Sequence, residues 1–443
     1  MILTIKKWGI NGEGIAYWKK KPVFVEGGMP DEVVDAELTE EHDTYCVAEI
    51  KKVIEASPRR RRPMCAITKE CGGCPLMHAD MKGQLRMKSS VLKEALKKYA
   101  GYSGAILPII KNPDVLAYRN ACKLRFFNKD NEIICGLYEK DSNKVVKMER
   151  CIIHDKDLER VRVQIVQILN AHNAKAFTKK EECGYRSLVM KSFDHKVQVI
   201  LVTSRMRIEK NMIEEIMEID GVVSLWQSIK SQDESELDVF GKRMVHLAGL
   251  EKMEVKVCGL DLALLPRSFF QLNTRQAENV YSVVRDWTPK CRTVVEAYCG
   301  IGAMALLAAS KARKVIGIES IEDAVINARE NAKKNNIGNV RFICGDAGEE
   351  LIQISEKKKI DTLIVDPPRS GLDEKMKEAI IDARVRTIIY VSCNPSTLAK
   401  DLGFLKAQYA IKKVQPVDMF SQTPHVETVV LLERKEPERR QKN

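Results

Sequence analysis

From about residue 263 onward the chain alternates short apolar runs with helical stretches, and this alternation restricts the fold more than any other feature. TVVEAY, KVIGIES, NVRFICGD, DTLIVDPP and RTIIYVSC are strand candidates. The stretches between them, such as IEDAVINARENAKKNN and DEKMKEAIIDAR, place apolar residues at helical spacing. Alternation of this kind predicts a Rossmann-like, doubly wound and mostly parallel sheet, with KKVQPVDMF and HVETVVLLER adding two closing strands. Ligands of such sheets bind beyond the carboxyl ends of the strands, so those ends carry the search for chemistry.

Upstream the pattern differs. In residues 1–56, GIAYW, KPVFVE and VVDAEL alternate between turn signals, as strands of a small all-β, OB-like barrel do. SPRRRRP then reads as a linker, because four consecutive arginines between prolines are not expected to pack; it is either a solvated tether or a phosphate contact. Residues 57–262 mix a helical stretch, MHADMKGQLRMKSSVLKEALKKY, with the strand-like runs KLRFFN, EIICGLY, KVQVILVTS and VVSLWQSI, an α+β pattern. Three domains are expected: 1–56, 57–262 and 263–443. Lys and Arg number 73 against 61 Asp and Glu, a formal charge of +12 that suits a polyanionic partner. No apolar segment approaches the ~20 residues of a membrane span, and the first residues lack a signal-peptide core. The chain reads as cytoplasmic, with no membrane association and no evident obligate protein partner. Most of its 13 cysteines are expected to be reduced thiols.

The strand ends each present a group with a use. In VVEAYCGIG, Tyr298, Gly300 and Gly302 form a glycine-rich turn that opens a helix, leaving backbone N–H groups free to face a ligand. Glu319, 17 residues after Gly302, ends the second run and suits the two ribose hydroxyls of a nucleoside; Asp346 ends the third and suits an adenine amino group. Neither a G-x-G-x-x-G fingerprint nor a Walker lysine accompanies them, which favours S-adenosylmethionine over NAD or ATP. The fourth run ends in DPPRSGLD, whose prolines fix the chain and hold Asp366 at the site. Arg369 stands where amino-group methyltransferases tend to carry an aromatic, which counts against methylation of an exocyclic amine.

The fifth run ends in SCNPSTLAKDL, with Cys393 beyond the apolar segment and not inside it. Helix N-termini and neighbouring cations at such a rim are expected to lower the thiol pKa and supply thiolate. A thiol beside a methyl donor has one well-defined use. Carbon 5 of uracil is too weak a nucleophile to attack a sulfonium methyl, and addition of a thiolate at carbon 6 turns it into an enolate. A base must then remove the carbon 5 proton. HVETVVLL offers Glu427, with His425 as the second choice.

FFQLN (Gln271 and Asn273), AYCGIG, Glu319, DPPRSGLD, SCNPSTLAKDL and HVET together resemble the RNA uracil-5-methyltransferases, in that family's order and over nearly the whole chain. By this resemblance Gln271, Tyr298, Glu319, Asp346 and Asp366 contact the methyl donor or the target base, Cys393 is the nucleophile and Glu427 the base, and the N-terminal region resembles the RNA-binding TRAM module. Glu296 departs from the family's usual Asp. CAITKECGGC sets Cys65, Cys71 and Cys74 at C-x5-C-x2-C, with Gly72-Gly73 as a tight turn that lets thiolates converge. Zinc or an iron–sulfur cluster satisfies such thiols on physical grounds. The ribosomal-RNA branch of the family carries a [4Fe–4S] cluster on four such cysteines, so the resemblance implies Cys151 as the fourth ligand, iron over zinc, and 23S ribosomal RNA as the substrate. Transfer RNA is the alternative substrate, and a non-catalytic RNA-binding or ribosome-assembly factor is the alternative class.

Overall fold

Five apolar runs become five parallel strands in the computed structural model, which describes residues 1–436 apart from 141, 143, 232, 233, 236 and 237. They are β1 (Cys291–Ala297), β2 (Ala312–Glu319), β3 (Val340–Cys344), β4 (Thr362–Val365) and β5 (Thr387–Ser392). With β6 (Tyr409–Val417) and β7 (Glu427–Arg434) they form one sheet in the order β3-β2-β1-β4-β5-β7-β6. β7 runs antiparallel to both its neighbours. Helices Ala303–Ala308, Glu322–Lys334, Ala347–Lys357, Glu374–Asp382 and Pro395–Leu405 follow the five parallel strands in turn. The order reverses between β1 and β4, the switch point at which a doubly wound sheet opens a crevice.

The chain divides into two compact units that cut across the three sequence regions. One comprises residues 1–64, 74–113 and 275–443; the other comprises 65–73 and 114–274. The physical reason lies in the helix Met81–Ala95 and its π-helical extension Leu96–Ala100. Their Leu92, Ala95, Leu96 and Ala100 enter the same core as Val295, Val365, Ile388, Tyr390 and Leu402. The amphipathic pattern read in this helix was correct, and its apolar face serves the C-terminal sheet.

The N-terminal residues of the first unit form a six-stranded sheet. Gly14–Trp18, Lys21–Glu26 and Val33–Glu41 occupy the predicted positions, and alternate residues (Ala16, Val23, Val25, Val34, Ala36, Ala48) fill its small core. Lys6 donates to the Ile15 carbonyl (2.8 Å), continuing the antiparallel pairing of Lys7–Trp8 with Gly14–Trp18. SPRRRRP is no solvated tether. Arg59 pairs with Asp80 (2.9 Å), Arg60 Nη2 with the buried Glu32 (2.7 Å), and Arg61 Nη2 with Gln422 Oε1 (3.0 Å). Arginines pack here because each of the three finds an acceptor; Glu32 is held below the usual carboxylate range by Arg60 and the Ser57 N–H, against the opposing effect of burial.

The second unit is a seven-stranded sheet in which Tyr185–Phe193 is central, with Ala121–Lys129 and Lys196–Thr203 on either side. Helices Lys156–Ala171 and Lys210–Glu218 share one core with its strands. Among the described residues no helix is long and apolar enough to cross a membrane.

Candidate active site

The glycine-rich turn after β1 is built on left-handed backbone. Tyr298 (φ 63°), Gly300 (φ 51°) and Gly302 (φ 84°) all have positive φ, a conformation costly for a residue with a side chain. A Cβ on Gly302 would lie 2.6 Å from the Phe342 ring, so that glycine is required for packing. A Cβ on Gly300 would meet nothing within 4 Å, so Gly300 fronts open space. Glu319, at the end of the neighbouring β2, accepts the N–H groups of Gly300 (3.0 Å) and Ile321 (3.0 Å), which fixes the turn and the carboxylate together. Asp346 lies two residues beyond the end of β3, where its side chain caps the helix Ala347–Lys357 through the Glu349 N–H (3.0 Å) and pairs with Lys375 at 3.6 Å.

Behind the turn lies a deeply buried acid. Glu296 is 1% exposed, and the Ala305 backbone N–H is a donor toward its carboxyl. Burial pushes its pKa well above the carboxylate range, the Ala305 N–H offsets this only in part, and the charges of Asp366 and Glu319 push the same way. S-adenosylmethionine fits these residues: Glu319 offers a carboxylate beside the turn, and at Gly300 the backbone is approachable with no side chain in the way.

Register brings the two predicted catalytic groups together. Ser392 of β5 pairs with Thr428 of β7, so the next step toward the rim sets Cys393 opposite Glu427. Asp366, after β4, completes the group, and Arg369 supplies its cation. Burial pushes both Asp366 and Glu427 well above the usual carboxylate range; Asp366 raises Glu427 further and Arg369 opposes it. The expectation of a lowered thiol pKa is corrected here. Burial pushes Cys393 up to about 11, Glu427 and Asp366 add to the rise, and Arg369 pulls the other way. The rim is rich in acids and half-closed, and one guanidinium does not outweigh that.

The loops that hold these groups are tied to one another. Asn394 caps the helix Pro395–Leu405 through the Ser396 N–H (3.0 Å) and donates to the Arg369 carbonyl (3.1 Å), which also accepts from Thr397 Oγ1 (3.2 Å). Asp401, on the same helix, accepts the Tyr390 hydroxyl (2.6 Å) and the Leu372 N–H (2.9 Å). Sequence reading passed over Asp401; its one signal was an acid at an inward phase of the helix LAKDLGFL.

Gln271 and Asn273 lie in the other compact unit. The Asn120 side chain holds their segment by donating to the Gln271 carbonyl (3.0 Å) and Thr274 Oγ1 (2.9 Å). Cys65, Cys71 and Cys151 belong to that unit too, and the charges of Cys151 and Cys65 both raise the Cys71 pKa after burial has done so. Gly72 takes left-handed backbone (φ 63°) at the predicted turn. The donors have the chemistry a soft metal needs, yet among the described residues no group of three His, Cys, Asp or Glu is arranged to hold a metal ion.

A family model described as tRNA (uracil-5-)-methyltransferase matches residues 80–435. An RNA methyltransferase of Bacillus cereus is 35% identical over 444 residues, spanning 98% of this chain and 96% of that protein. One from Halalkalibacterium halodurans is 36% identical over 445 residues, spanning 97% and 95%. The crystal structure of Pyrococcus abyssi tRNA (uracil-54, C5)-methyltransferase with S-adenosyl-L-homocysteine superimposes with a TM-score of 0.79 at 25% identity, covering 98% of this chain and all of that one. Matches of this length and identity make the chain a member of the RNA uracil-5-methyltransferase family, an enzyme that uses S-adenosylmethionine to methylate RNA.

Proposed function

We propose that the protein methylates carbon 5 of a uridine in 23S ribosomal RNA, with Cys393 as nucleophile and Glu427 as base. The observation that carries the reading is the placement of thiol and carboxyl across the β5–β7 register, with Asp366 and Arg369 beside them. Carbons 5 and 6 are inaccessible in stacked RNA, so the target nucleotide turns out of its stack into the crevice. The Cys393 thiol gives up its proton to solvent and its sulfur bonds carbon 6, breaking the C5–C6 π bond and leaving its electron pair on carbon 5. Bound S-adenosylmethionine supplies an electrophilic methyl group. Carbon 5 then carries both the methyl and its original proton. Glu427 takes that proton, the C5–C6 double bond re-forms, and the Cys393 thiolate leaves. Tyr298, Glu319, Asp346, Asp366 and Gln271 hold the methyl donor or the base in this reading, and the N-terminal sheet acts as a TRAM module on the RNA.

The thiols of Cys65, Cys71, Cys74 and Cys151 are proposed to hold a structural [4Fe–4S] cluster through which no step of the reaction passes. Their support is donor chemistry and the mutual influence of three of them. They also support ribosomal RNA. The likeness to the Pyrococcus abyssi tRNA enzyme favours transfer RNA as the second reading.

Mapping 5-methyluridine in cells with and without the gene separates the two. The expected result is its loss from 23S ribosomal RNA with transfer RNA unchanged; the reverse result establishes the second reading. Cys393→Ala is expected to abolish methylation while S-adenosylmethionine still binds, and retained turnover overturns the nucleophile. Glu427→Gln is expected to accumulate a covalent, methylated RNA adduct.

A further inference from the structure

The segment that delivers Glu427 to the rim, from Asp418 just after β6 to Val426, is fastened by residues far earlier in the chain. Lys88 of the helix Met81–Ala95 and Asp418 form an ion pair with side-chain exposures of 0% and 1%. Lys88 Nζ also donates to the Phe420 carbonyl (2.8 Å). The second Asp418 oxygen accepts the Ser421 hydroxyl (2.8 Å), which itself accepts from Asn112 Nδ2 (3.2 Å). One helical turn before Lys88, Gln84 brackets Gln422: its Nε2 donates to the Gln422 side chain (2.9 Å) and its Oε1 accepts the Gln422 N–H (2.8 Å). Gln422 stands at φ 71°, a left-handed conformation that these bonds maintain.

A fully desolvated lysine is an expensive way to hold a connection between two strands, and the connection it holds is itself largely buried. Burial lowers its pKa and only Asp418 opposes that, so the pair is stable only while both partners stay in register. Glu427 is the first residue of β7, and Val417, next to Asp418, is its partner in the ladder. Any shift of the 418–422 segment therefore moves the Glu427 carboxyl relative to Cys393. We propose that Lys88 and Gln84 are positioning residues for Glu427, acting through Asp418 and Gln422 to set the distance over which the carbon 5 proton is removed. The inference rests on Glu427 being the base.

The test separates methyl transfer from proton removal, by following methyl incorporation from labelled S-adenosylmethionine and tritium release from RNA containing 5-tritiated uridine in single turnovers. In Lys88→Met, tritium release is expected to slow about 10- to 100-fold more than methyl incorporation, since misplacement of a reacting group by about 1 Å costs up to that much. A covalent methylated adduct should accumulate. Ser421→Ala, which leaves the ion pair in place, is the milder variant, with an expected excess slowing of about 3- to 10-fold by the same argument; it decides the matter if Lys88→Met does not fold. Equal slowing of both steps, or no slowing of either, in the folded variants overturns the positioning role. Glu427→Gln is run beside them. An adduct in Glu427→Gln but in neither other variant overturns positioning alone, and normal release by Glu427→Gln overturns the base assignment and the inference with it.

Discussion

At Cys393 the resting pocket opposes ionisation. With the thiol pushed up to about 11 by burial and by the Glu427 and Asp366 charges, little thiolate exists at neutral pH, and Arg369 is the cation that favours it. The sign of each neighbour gives a test. The alkylating form is the thiolate, so the rate of Cys393 labelling by iodoacetamide in the free protein is expected to climb with pH through about 11. At pH values where Glu427 is ionised, Glu427→Gln removes a charge that raises the thiol and should speed labelling; Arg369→Met removes the charge that lowers it and should slow labelling. Each effect is expected to be on the order of several-fold, since one pKa unit changes the thiolate fraction about tenfold. Mass spectrometry of the Cys393 peptide over a pH series reads the result, and equal rates in all three proteins would remove the electrostatic account.

Among the elements, the loop from Asp366 to Asp373 and the helix Pro395–Leu405 act as one piece. Gly371 sits at φ 84°, and a Cβ there would fall 2.6 Å from Asp401 Oδ2 and 3.1 Å from Thr397 Cβ. Asp401 cannot yield without releasing the buried Tyr390 hydroxyl and the Leu372 N–H. Gly371→Ala is therefore expected to destabilise by roughly 1–3 kcal/mol, the cost of strained backbone plus a disturbed buried polar group. Gly338→Ala, where an added Cβ meets nothing within 4 Å, is the control, expected to stay within about 0.5 kcal/mol. Urea midpoints of the two variants read the difference. Much at this scale was legible. The runs GIAYW, KPVFVE and EIICGLY are strands at the predicted residues because their side chains alternate or fill a core. Tyr185–Phe193 was not read as a strand, because its arginine and lysine look like surface residues in a sequence. Every residue of that strand is buried, with Arg186 over the Phe177 ring and Lys191 capping the Pro266 (2.8 Å) and Ser268 (2.7 Å) carbonyls. SPRRRRP failed for the same reason in reverse: its partners Glu32, Asp80 and Gln422 are far away in the chain. Motifs name the groups at a rim, and only the fold supplies the neighbours that set their pKa values.

Over the whole molecule, chain order and spatial order diverge, and the cysteines make the consequence testable. The chain leaves the unit of residues 1–64 for Cys65–Gly73, then returns to it at Cys74, so the C-x5-C-x2-C run is part of the chain's crossing between units. A short irregular segment of this kind, whose Thr68–Cys71 helix has no buried residues, has little apolar surface to stabilise it. The proposed cluster would supply the missing free energy, because metal affinity adds to folding free energy wherever the site does not exist in the unfolded chain. Protein purified without oxygen is accordingly expected to be brown, to carry about four irons per chain, and to lose its thermal midpoint by several degrees when a chelator and an oxidant strip the metal. Cys71→Ala is expected to lack iron and to show the lower midpoint from the start. Its S-adenosylmethionine affinity should stay close to that of the unaltered protein, because the residues proposed to hold the methyl donor at β1 and β2 fold around a core of their own. Zinc in place of iron, found by elemental analysis of the same preparation, keeps the structural role and changes the metal. Full occupancy by iron in Cys71→Ala would mean that other thiols hold it.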